Sequence, residues 1–379
     1  MHEEVDAIVI GAGVAGGAIA CGLAEKGWRV VLLDKGASLR HKACGEFLSP
    51  ESVSSLRALK LDSLVRSRQP ATVTLARLHT ERGISLELPL PGPAIGLSRH
   101  ALDAVLQDAA AERGAEWRAA SPATAVAKTD AGYRVDVRSK SGDIRLTARI
   151  AIGAWGRRPF GGVVPLSAAS LARSYVGIKS HFIGAGDAPI VDLYFFRGGY
   201  IGISPIEDGR TNVAGLIMRS EFRNAGGTDA IERILREAAR RVPALAERLS
   251  GMTPVPGTQA AASPVGVRWK PLAWDGLPLV GDAAAAIPPF CGDGMAMALR
   301  SAELGAVLAD AYLRGDCTLA EWKVRYSRQI RRQFGGALRW GSLLEYALAK
   351  PRLADGLLRL GAFAPGMAAR MVRATRLKG

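Results

Sequence analysis

The sequence predicts an α/β protein built from two domains and a C-terminal helical segment. Three observations lead to this fold class: a strand–turn–helix–strand unit at the N-terminus, alternating strands in the middle of the chain, and a basic, helix-forming C-terminus. The chain has 379 residues, of which 48% are hydrophobic and 22% charged. This composition is typical of a well-packed globular protein, and the length is sufficient for two domains.

The N-terminal unit contains a glycine-rich turn between a strand and a helix. An apolar strand over residues 5–10 is followed by glycines in the spacing G-x-G-x-x-G: Gly11, Gly13 and Gly16. After a helical stretch, a second apolar strand ends on Asp34. The glycines allow a tight turn, close approach of a pyrophosphate and close helix packing, while the helix N-terminus offers unpaired N–H groups. Since Asp34 is placed to accept hydrogen bonds from a ribose, the unit predicts a Rossmann-like dinucleotide site.

Two other interpretations of this stretch are weaker. Residues 7–24 contain no charged side chain and are long enough to suggest a membrane span. However, five glycines interrupt them, and acidic residues rather than basic ones precede them, which is not typical of a signal peptide. A glycine-rich turn that binds nothing is the other alternative, and the complete strand–helix–strand–acid context argues against it.

The net charge of +15 is concentrated at the C-terminus. Residues 321–379 contain 13 Lys and Arg against 3 acidic residues, which gives this segment a charge of +10. Basic amphipathic helices suit an anionic membrane surface or an acidic partner, but we favour a helical cap with a solvated basic face. No recognised nucleic-acid-binding fold accompanies the charge, so we predict no nucleic-acid partner. The four scattered cysteines have no CxxC pairing, which favours a cytoplasmic location, with the inner membrane face as the alternative.

The middle of the chain predicts a second domain that covers the first. Residues 166–270 contain alternating strands and one helix, and we expect their antiparallel sheet to cover a ligand site. We assign residues 1–70, 96–165 and 271–320 to a discontinuous first domain, and residues 71–95 and 166–270 to the second, substrate domain. Residues 321–379 form the basic C-terminal segment.

A second site motif returns to the first domain late in the chain. Gly281-Asp282 ends a short strand, and Gly292 and Gly294 precede a long helix. An Asp at this position can bind the hydroxyls of an extended sugar alcohol, and the glycines let the helix N-terminus approach a flat ring. An adenosine, a pyrophosphate and a ribityl chain in series describe FAD rather than NAD.

These motifs resemble those of the FAD-dependent hydroxylases of the p-hydroxybenzoate hydroxylase fold, and within them the geranylgeranyl reductase-like branch. The resemblance covers roughly residues 5–320. Lys42-Ala-Cys44-Gly45 is similar to the stretch that geranylgeranyl reductases place beside the flavin. Arg99 resembles the family's arginine that reaches the cofactor. Residues 200–205 and 208–213 resemble a strand pair of the substrate domain.

The resemblance implies an FAD-dependent oxidoreductase and leaves two reactions open. One is a monooxygenase that hydroxylates a hydrophobic phenolic or polyketide-like compound through a flavin hydroperoxide. The other is a prenyl reductase that saturates isoprenoid double bonds. We favour hydroxylation, because Gly45 is followed by Glu46 where the reductase motif would have another glycine. A protein that binds FAD without turnover, or that docks on a membrane, is a third alternative.

The sequence is compatible with two routes by which electrons could reach the flavin. The family usually has Gly-Ala-Asp-Gly where this chain reads Gly153-Ala-Trp155-Gly156. The chain also has no second glycine fingerprint in a suitable context. We therefore expect NAD(P)H to bind transiently, or a separate reductase to supply the electrons.

Candidate site residues follow from these motifs and from the resemblance. The predicted cofactor-binding residues are Gly11, Gly13, Val14, Ala15, Gly16, Asp34, Lys35, Lys42, Cys44, Gly45, Arg99, Val126, Gly281, Asp282, Gly292, Gly294 and Met295. Alternate aromatic residues of the covering strands should face the ring, so Phe196 and Tyr200, with Phe290, are the predicted substrate contacts. Cys44 and Glu46 are the catalytic candidates, although Glu46 fits an exposed loop carboxylate equally well. The five histidines have no ligand spacing, so we predict no metal.

Overall fold

The computed structural model of the chain describes residues 2–139, 142–157, 160–161, 174–184, 186, 188–221, 229–266, 270–364, 366 and 376–377. In this part of the chain the strands are β1 His2–Ile10, β2 Val30–Leu33, β3 Phe47–Leu48, β4 Ala71–Thr80, β5 Ser85–Gly96, β6 Glu116–Arg118, β7 Ala123–Thr129, β8 Gly132–Val137, β9 Ile144–Gly153, β10 Tyr175–Ile183, β11 Ile190–Phe196, β12 Gly199–Pro205, β13 Thr211–Met218, β14 Thr253–Pro254, β15 Ala260–Val265, β16 Trp274–Asp275 and β17 Leu277–Pro278. The helices are α1 Val14–Ala24, α2 Ser52–Ala58, α3 Asp62–Arg66, α4 Arg99–Glu112, α5 Ala230–Arg241, α6 Pro243–Ser250, α7 Gly294–Arg314, α8 Leu319–Leu348 and α9 Pro351–Phe363.

The first sheet has six strands in the order β6-β2-β1-β9-β8-β7. Strand β1 pairs in parallel with β2 and β9, and β7, β8 and β9 form an antiparallel meander. Helices α1, α4 and α7 contribute to the hydrophobic core on one side of this sheet. The predicted strand–helix–strand unit and the meander therefore belong to one sheet, which is built from separate segments of the chain.

The turn between β1 and α1 requires glycine at two positions. Gly11 has φ +110°, and a Cβ atom there would lie 2.5 Å from the carbonyl oxygen of Ala154. A Cβ atom on Gly16 would lie only 1.7 Å from the carbonyl oxygen of Gly11. These contacts agree with the tight turn and the close helix–strand packing that the spacing predicts.

The second sheet has nine strands in the order β14-β10-β13-β12-β11-β4-β5-β3, with β15 also paired to β10. Its neighbours are antiparallel except for β11 and β4, which are parallel. Helices α5 and α6 cover one face and form a core with the strand residues Tyr194, Phe196, Ile201 and Ile203. The mixed α/β class with a covering antiparallel sheet is confirmed. Strand β3 pairs with β5 in this second sheet, although we assigned residues 1–70 to the first domain.

The described part of the C-terminal segment forms α8, which packs on the first domain, and α9, which packs against β4, β5 and β11 of the second sheet. Helix α8 begins with a capping box in which Thr318 and Glu321 bond to each other's backbone N–H. Trp322, Tyr326 and Ile330 are buried at four-residue spacing, and the Tyr326 hydroxyl donates to the Leu279 carbonyl at 2.8 Å. The α8 stripe thus packs into the core, as the cap interpretation expects. No helix among the described residues is long and apolar enough to cross a membrane.

Candidate active site

A cavity of about 380 Å³ lies where the two sheets meet. One wall comes from the N-terminal ends of α1 and α7 and from the short turns that precede them. The opposite wall comes from strands β10 to β13, and residues 43–46 of the loop before β3, together with Phe47 of β3, complete it. The cavity therefore brings together the first glycine motif, the late Gly-Asp motif and the covering sheet.

The first glycine motif leaves room for a ligand at its backbone. A Cβ atom on Gly13 would have only the Arg99 guanidinium Nη2 within 4 Å, at 3.6 Å. Asp34 lies at the end of β2, and its carboxylate accepts hydrogen bonds from the backbone N–H groups of Ala12 at 2.9 Å and Gly36 at 2.7 Å. Open space at a helix N-terminus, an arginine beside it and a carboxylate after the second strand fit the phosphates and ribose of FAD.

The late motif lines the same cavity. Asp282 lines the cavity, and its Oδ2 accepts a hydrogen bond from Arg157 Nε at 2.9 Å. Gly294 begins the 21-residue helix α7, and a Cβ atom on it would have no atom within 4 Å. These groups fit the ribityl chain and ring of FAD, because the helix N-terminus provides free N–H donors beside open space.

Arg99 is held against the cavity by a buried carboxylate. Its guanidinium donates to Asp103 at 3.0–3.1 Å, and Lys42 Nζ donates to the same carboxylate at 2.6 Å. Burial alone would lower the pKa of Arg99, but the charge of Asp103 raises it above the ordinary value. Arg99 is thus a fixed positive charge beside Gly13. Lys42 pairs with the same Asp103 carboxylate but does not line the cavity.

The covering sheet supplies an apolar wall. Because side chains alternate along a strand, Val191 and Leu193 of β11 face the cavity together with Tyr200 of β12 and Leu216 of β13. Tyr200 also contacts Phe290, with ring centroids 6.2 Å apart. Burial raises the pKa of the Tyr200 hydroxyl well above its ordinary value, so this group remains a protonated phenol.

Phe196 has a different position from the one expected for a substrate contact. It lies on the alternate face of β11, in the core formed with α5 and α6, and it does not line the cavity. The alternation of strand residues was predicted, but the sequence did not show which alternate set faces the cavity. The residues of β11 that line the cavity are Val191 and Leu193, which we did not predict because they are not aromatic.

Glu46 is buried and is not an exposed loop carboxylate. It has φ +53°, and its Oε1 accepts hydrogen bonds from Lys179 Nζ at 2.8 Å and from the Arg99 backbone N–H at 3.0 Å. Its Oε2 lies 2.5 Å from His181 Nε2. Burial alone would raise the pKa of Glu46, but the His181 hydrogen bond and the Lys179 charge hold it below the ordinary value.

Three further residues near Glu46, His41, Lys179 and His181, were not identified as site residues from the sequence. His41 Nδ1 lies 3.0 Å from Lys179 Nζ, and His181 lies two residues further along β10 on the same face. The histidine spacing gave no signal, because the two rings come from distant segments and meet only in the fold. Alternation along β10 would have placed Lys179 and His181 on one face of a strand.

The cysteines at the cavity are protonated thiols. Burial raises the pKa of Cys44 and raises that of Cys291 well above the ordinary value. The Cys44 Sγ accepts a hydrogen bond from the Glu46 backbone N–H at 3.4 Å. Since the thiolate is the nucleophile, this environment favours proximity to ligand without covalent chemistry.

Most of the other predicted residues also lie at the cavity. The predicted residues that line it are Gly13, Val14, Ala15, Cys44, Gly45, Glu46, Arg99, Gly281, Asp282, Gly292, Gly294, Met295, Tyr200 and Phe290. Gly11 and Gly16 shape the turn behind it. Lys35 is exposed, and Val126 packs against the core on the far side of the first sheet.

The C-terminus also reaches the cavity, which the sequence did not predict. Arg376 lines it and donates to Asp293 Oδ1 at 2.7 Å. Burial raises the pKa of Asp293 to about 6, against the lowering effect of Arg376. The arginine thus provides a countercharge for a carboxylate next to the start of α7.

Comparisons with known proteins agree with this geometry. The FAD binding domain family matches residues 4–322. The chain is 28% identical over 354 residues to digeranylgeranylglycerophospholipid reductase 2 of Methanopyrus kandleri, covering 89% of this chain and 85% of that protein. It is also 28% identical over 371 residues to menaquinone reductase of Mycolicibacterium smegmatis, covering 91% and 85%.

Solved structures show the same fold. The myxobacterial chondrochloren halogenase matches with a TM-score of 0.76 and 22% identity, covering 92% of this chain and 84% of that one. A geranylgeranyl bacteriochlorophyll reductase-like protein from Thermoplasma acidophilum matches with a TM-score of 0.74 and 22% identity, covering 95% and 91%. The family match, together with the two glycine motifs that line one cavity, means that this chain belongs to the FAD binding domain family and is an FAD-dependent oxidoreductase of the p-hydroxybenzoate hydroxylase fold.

Proposed function

We propose that the protein is a reductase that saturates carbon–carbon double bonds in the prenyl chain of a lipid or quinone. The observation that carries this proposal is the apolar wall of the cavity, where Val191, Leu193 and Leu216 lie beside the loop of Cys44. A long hydrocarbon chain offers few polar groups, and a wall of this kind suits it by burying apolar surface. The relatives named as digeranylgeranylglycerophospholipid and menaquinone reductases support the same substrate class.

Each part of the cavity has a role in this proposal. Asp34, Gly13 and Arg99 would hold the adenosine and pyrophosphate, while Asp282 and the start of α7 at Gly294 would hold the ribityl chain and ring. Bound FAD supplies hydride chemistry once it has been reduced. The protein itself orients the prenyl chain along the apolar wall and excludes water from the double bond.

We propose NAD(P)H as the source of electrons, with a separate reductase as the alternative. Trp155 stands where the family usually has an aspartate; its ring packs with Phe160, at 4.9 Å between centroids, and does not line the cavity. The adjacent Arg157 lines the cavity and is tied to Asp282. Anaerobic mixing with NADH or NADPH tests this donor, because bleaching of the flavin absorbance reports the electron transfer directly.

We further propose that the C-terminal helices rest on an anionic membrane surface. Exposed apolar side chains on α8 and α9 include Trp340, Leu343, Tyr346, Leu353, Leu360 and Phe363. Exposed cations stand among them: Arg339, Lys350, Arg352 and Arg359. Apolar insertion combined with positive charge suits acidic lipid headgroups. The inner residues of the same helices pack with Leu193, Tyr200 and Phe290, so this surface adjoins the apolar end of the cavity.

The test of the reaction is the mass of the product. The FAD-loaded protein is reduced without oxygen and incubated with a digeranylgeranyl lipid or menaquinone. A product heavier by two hydrogen atoms per bond supports the reductase. A product heavier by one oxygen atom, formed only when oxygen and a phenolic compound are added, would instead support hydroxylation. Bound FAD that is reduced and reoxidised without changing either substrate class would support a binding role without turnover.

A further inference from the structure

Four titratable side chains meet at the cavity wall: His41, Glu46, Lys179 and His181, here called the relay cluster. Lys179 Nζ lies 2.8 Å from Glu46 Oε1, 2.7 Å from His181 Nε2 and 3.0 Å from His41 Nδ1. The side chains of Lys179 and Glu46 are both 0% exposed, and Glu46 lines the cavity. The cluster therefore forms a continuous set of hydrogen-bonding atoms that reaches the ligand space.

His181 Nε2 lies between two partners that call for opposite proton positions on this nitrogen. His181 Nε2 lies 2.7 Å from the Lys179 nitrogen and 2.5 Å from a Glu46 oxygen. A ring nitrogen that donates to the carboxylate cannot at the same time accept from an ammonium, since each nitrogen has one site for a proton. Two proton arrangements thus compete over the same heavy-atom positions, and interconversion needs no movement of the backbone.

The cluster also has a connection to solvent. His41 is only partly buried, and its ring stacks on that of His100 with centroids 5.0 Å apart. His100 is exposed at the start of α4. A proton taken up at the outer edge of His41 can therefore pass through its Nδ1 contact to Lys179 and on to Glu46.

Other charged groups face the cluster from the elements packed on it. Lys179 is influenced by Cys44 and Glu207 as well as by Glu46. Arg99 donates its backbone N–H to Glu46, at the N-terminus of α4. Burial lowers the pKa of Lys179, although the Glu46 charge opposes this. The lysine thus releases its proton more readily than one in water.

The position of the Lys179 ammonium argues against a metal ion in this cluster. The ligand atoms of His41, Glu46 and His181 lie within 4.8 Å of one another, which resembles a metal site. The Lys179 nitrogen contacts all three side chains at 2.7–3.0 Å and thus already provides the positive charge there. A metal at the same place would meet a like charge at close range.

We propose that the relay cluster conducts a proton from solvent to the cavity and delivers it to the substrate carbon during double-bond reduction. This inference rests on the proposed function. Saturation of one carbon–carbon double bond adds a hydride, which comes from reduced FAD, and a proton, which comes from the cluster. Glu46 is the member at the cavity wall; it is ionised at rest and passes on the proton that Lys179 releases, and His41 then supplies Lys179 with a new proton from solvent. One double bond is lost, two carbon–hydrogen bonds form, and the cluster returns to its first state.

The experiment compares steady-state turnover of the FAD-loaded protein without oxygen under an excess of chemical reductant, so that the cluster must be resupplied with protons. Lys179→Met removes the central nitrogen, and His41→Gln removes only the outer proton carrier. Lys26→Met is the matched control, because Lys26 pairs with Asp310 at 2.8 Å outside the cavity. We expect Lys179→Met to be slower by at least about tenfold with unchanged substrate affinity, and His41→Gln to slow progressively as pH rises. Lys26→Met should stay within about twofold of wild type.

A second readout does not depend on turnover. Burial and the Lys179 and His181 charges lower the pKa of His41 to about 4. Nitrogen NMR of histidine-labelled, FAD-free protein should show this pKa rising by on the order of one unit in Lys179→Met, because a neighbouring positive charge has gone. An unchanged His41 pKa would overturn the relay.

The two proposals fail in different ways. If wild type reduces double bonds, and both Lys179→Met and His41→Gln keep its rate and pH profile, the relay is overturned and the reductase stands. If wild type reduces no double bond, the proposed function fails. The His41 titration then decides whether the cluster is coupled as described.

Discussion

Replacing Gly13 by alanine should weaken FAD binding while leaving the stability of the fold nearly unchanged. Gly13 is the N-cap of α1 with φ −83° and ψ −168°, a backbone conformation open to alanine. The new Cβ atom would meet only Arg99 Nη2, at 3.6 Å. Reduced freedom of the unfolded chain stabilises alanine by about 0.4–1 kcal/mol, and the poorer N-cap costs about 0.5–1 kcal/mol. The FAD-free variant should thus unfold within about 1 kcal/mol of wild type.

FAD binding should respond much more strongly. The Cβ atom occupies the space through which a pyrophosphate would reach the N–H groups at the start of α1. Loss of one charge-assisted hydrogen bond costs about 1.5–3 kcal/mol, which corresponds to binding that is weaker by about ten- to one-hundred-fold. Titration followed by flavin fluorescence measures the affinity, and thermal unfolding of the FAD-free protein measures the stability.

Two other glycine-to-alanine changes serve as controls. Gly336 lies within α8 with no atom within 4 Å of a Cβ position, so Gly336→Ala should gain up to about 1 kcal/mol of stability and bind FAD normally. Gly16→Ala should lose the fold, because its Cβ atom would lie 1.7 Å from the Gly11 carbonyl oxygen. Normal FAD affinity in Gly13→Ala would refute the assignment of the pyrophosphate to this turn.

Three further predictions concern the ribityl site, a buried carboxyl group and the membrane surface. Asp282→Ala should lower FAD occupancy measured by absorbance, while Arg157 keeps its 2.9 Å hydrogen bond to the Gly266 carbonyl. Burial raises the pKa of Glu345 from 4.5 to about 7 against the lowering effect of Arg157, so wild type should lose stability as pH rises through this range. Urea unfolding should find Glu345→Gln more stable than wild type at pH about 8, by on the order of 2 kcal/mol, and not at pH about 5. Phe363 is 91% exposed, so Phe363→Ser should reduce sedimentation with phosphatidylglycerol vesicles, whereas the α8 control Val324→Ser should not. Equal sedimentation of both variants and wild type would contradict the membrane proposal.

The features predictable from the sequence are those that depend on neighbouring residues. The turn at Gly11 needs a positive φ angle, and the close packing at Gly16 excludes a side chain, so both are visible in the local spacing. The alternation of side chains along β11 was also predictable from the sequence. The sequence did not show which face of β11 lines the cavity, because this depends on where α5 and α6 pack. Phe196 was therefore assigned to the cavity, although Leu193 lines it.

The relay cluster could not be predicted because it joins remote segments. Glu46 belongs to the loop before β3, whereas Lys179 and His181 belong to β10, more than a hundred positions away. Neither segment contains a recognisable motif for a buried charge. Only the pairing of β10 within the second sheet and the position of the loop beside it bring these side chains together.

The energetics of this cluster favour a chemical role over a structural one. A buried ion pair must offset the loss of hydration of both charges, and apolar side chains of similar size often stabilise a fold equally well or better. Glu46 adds a further cost, since its φ of +53° is unfavourable for a residue with a side chain. Lys179 and Glu46 are therefore a poor means of stabilising the contact between the loop and β10. They are well suited to a cavity wall that must hold and release a proton without exposing an apolar substrate to water, because both remain fully buried while linked through His41 towards solvent.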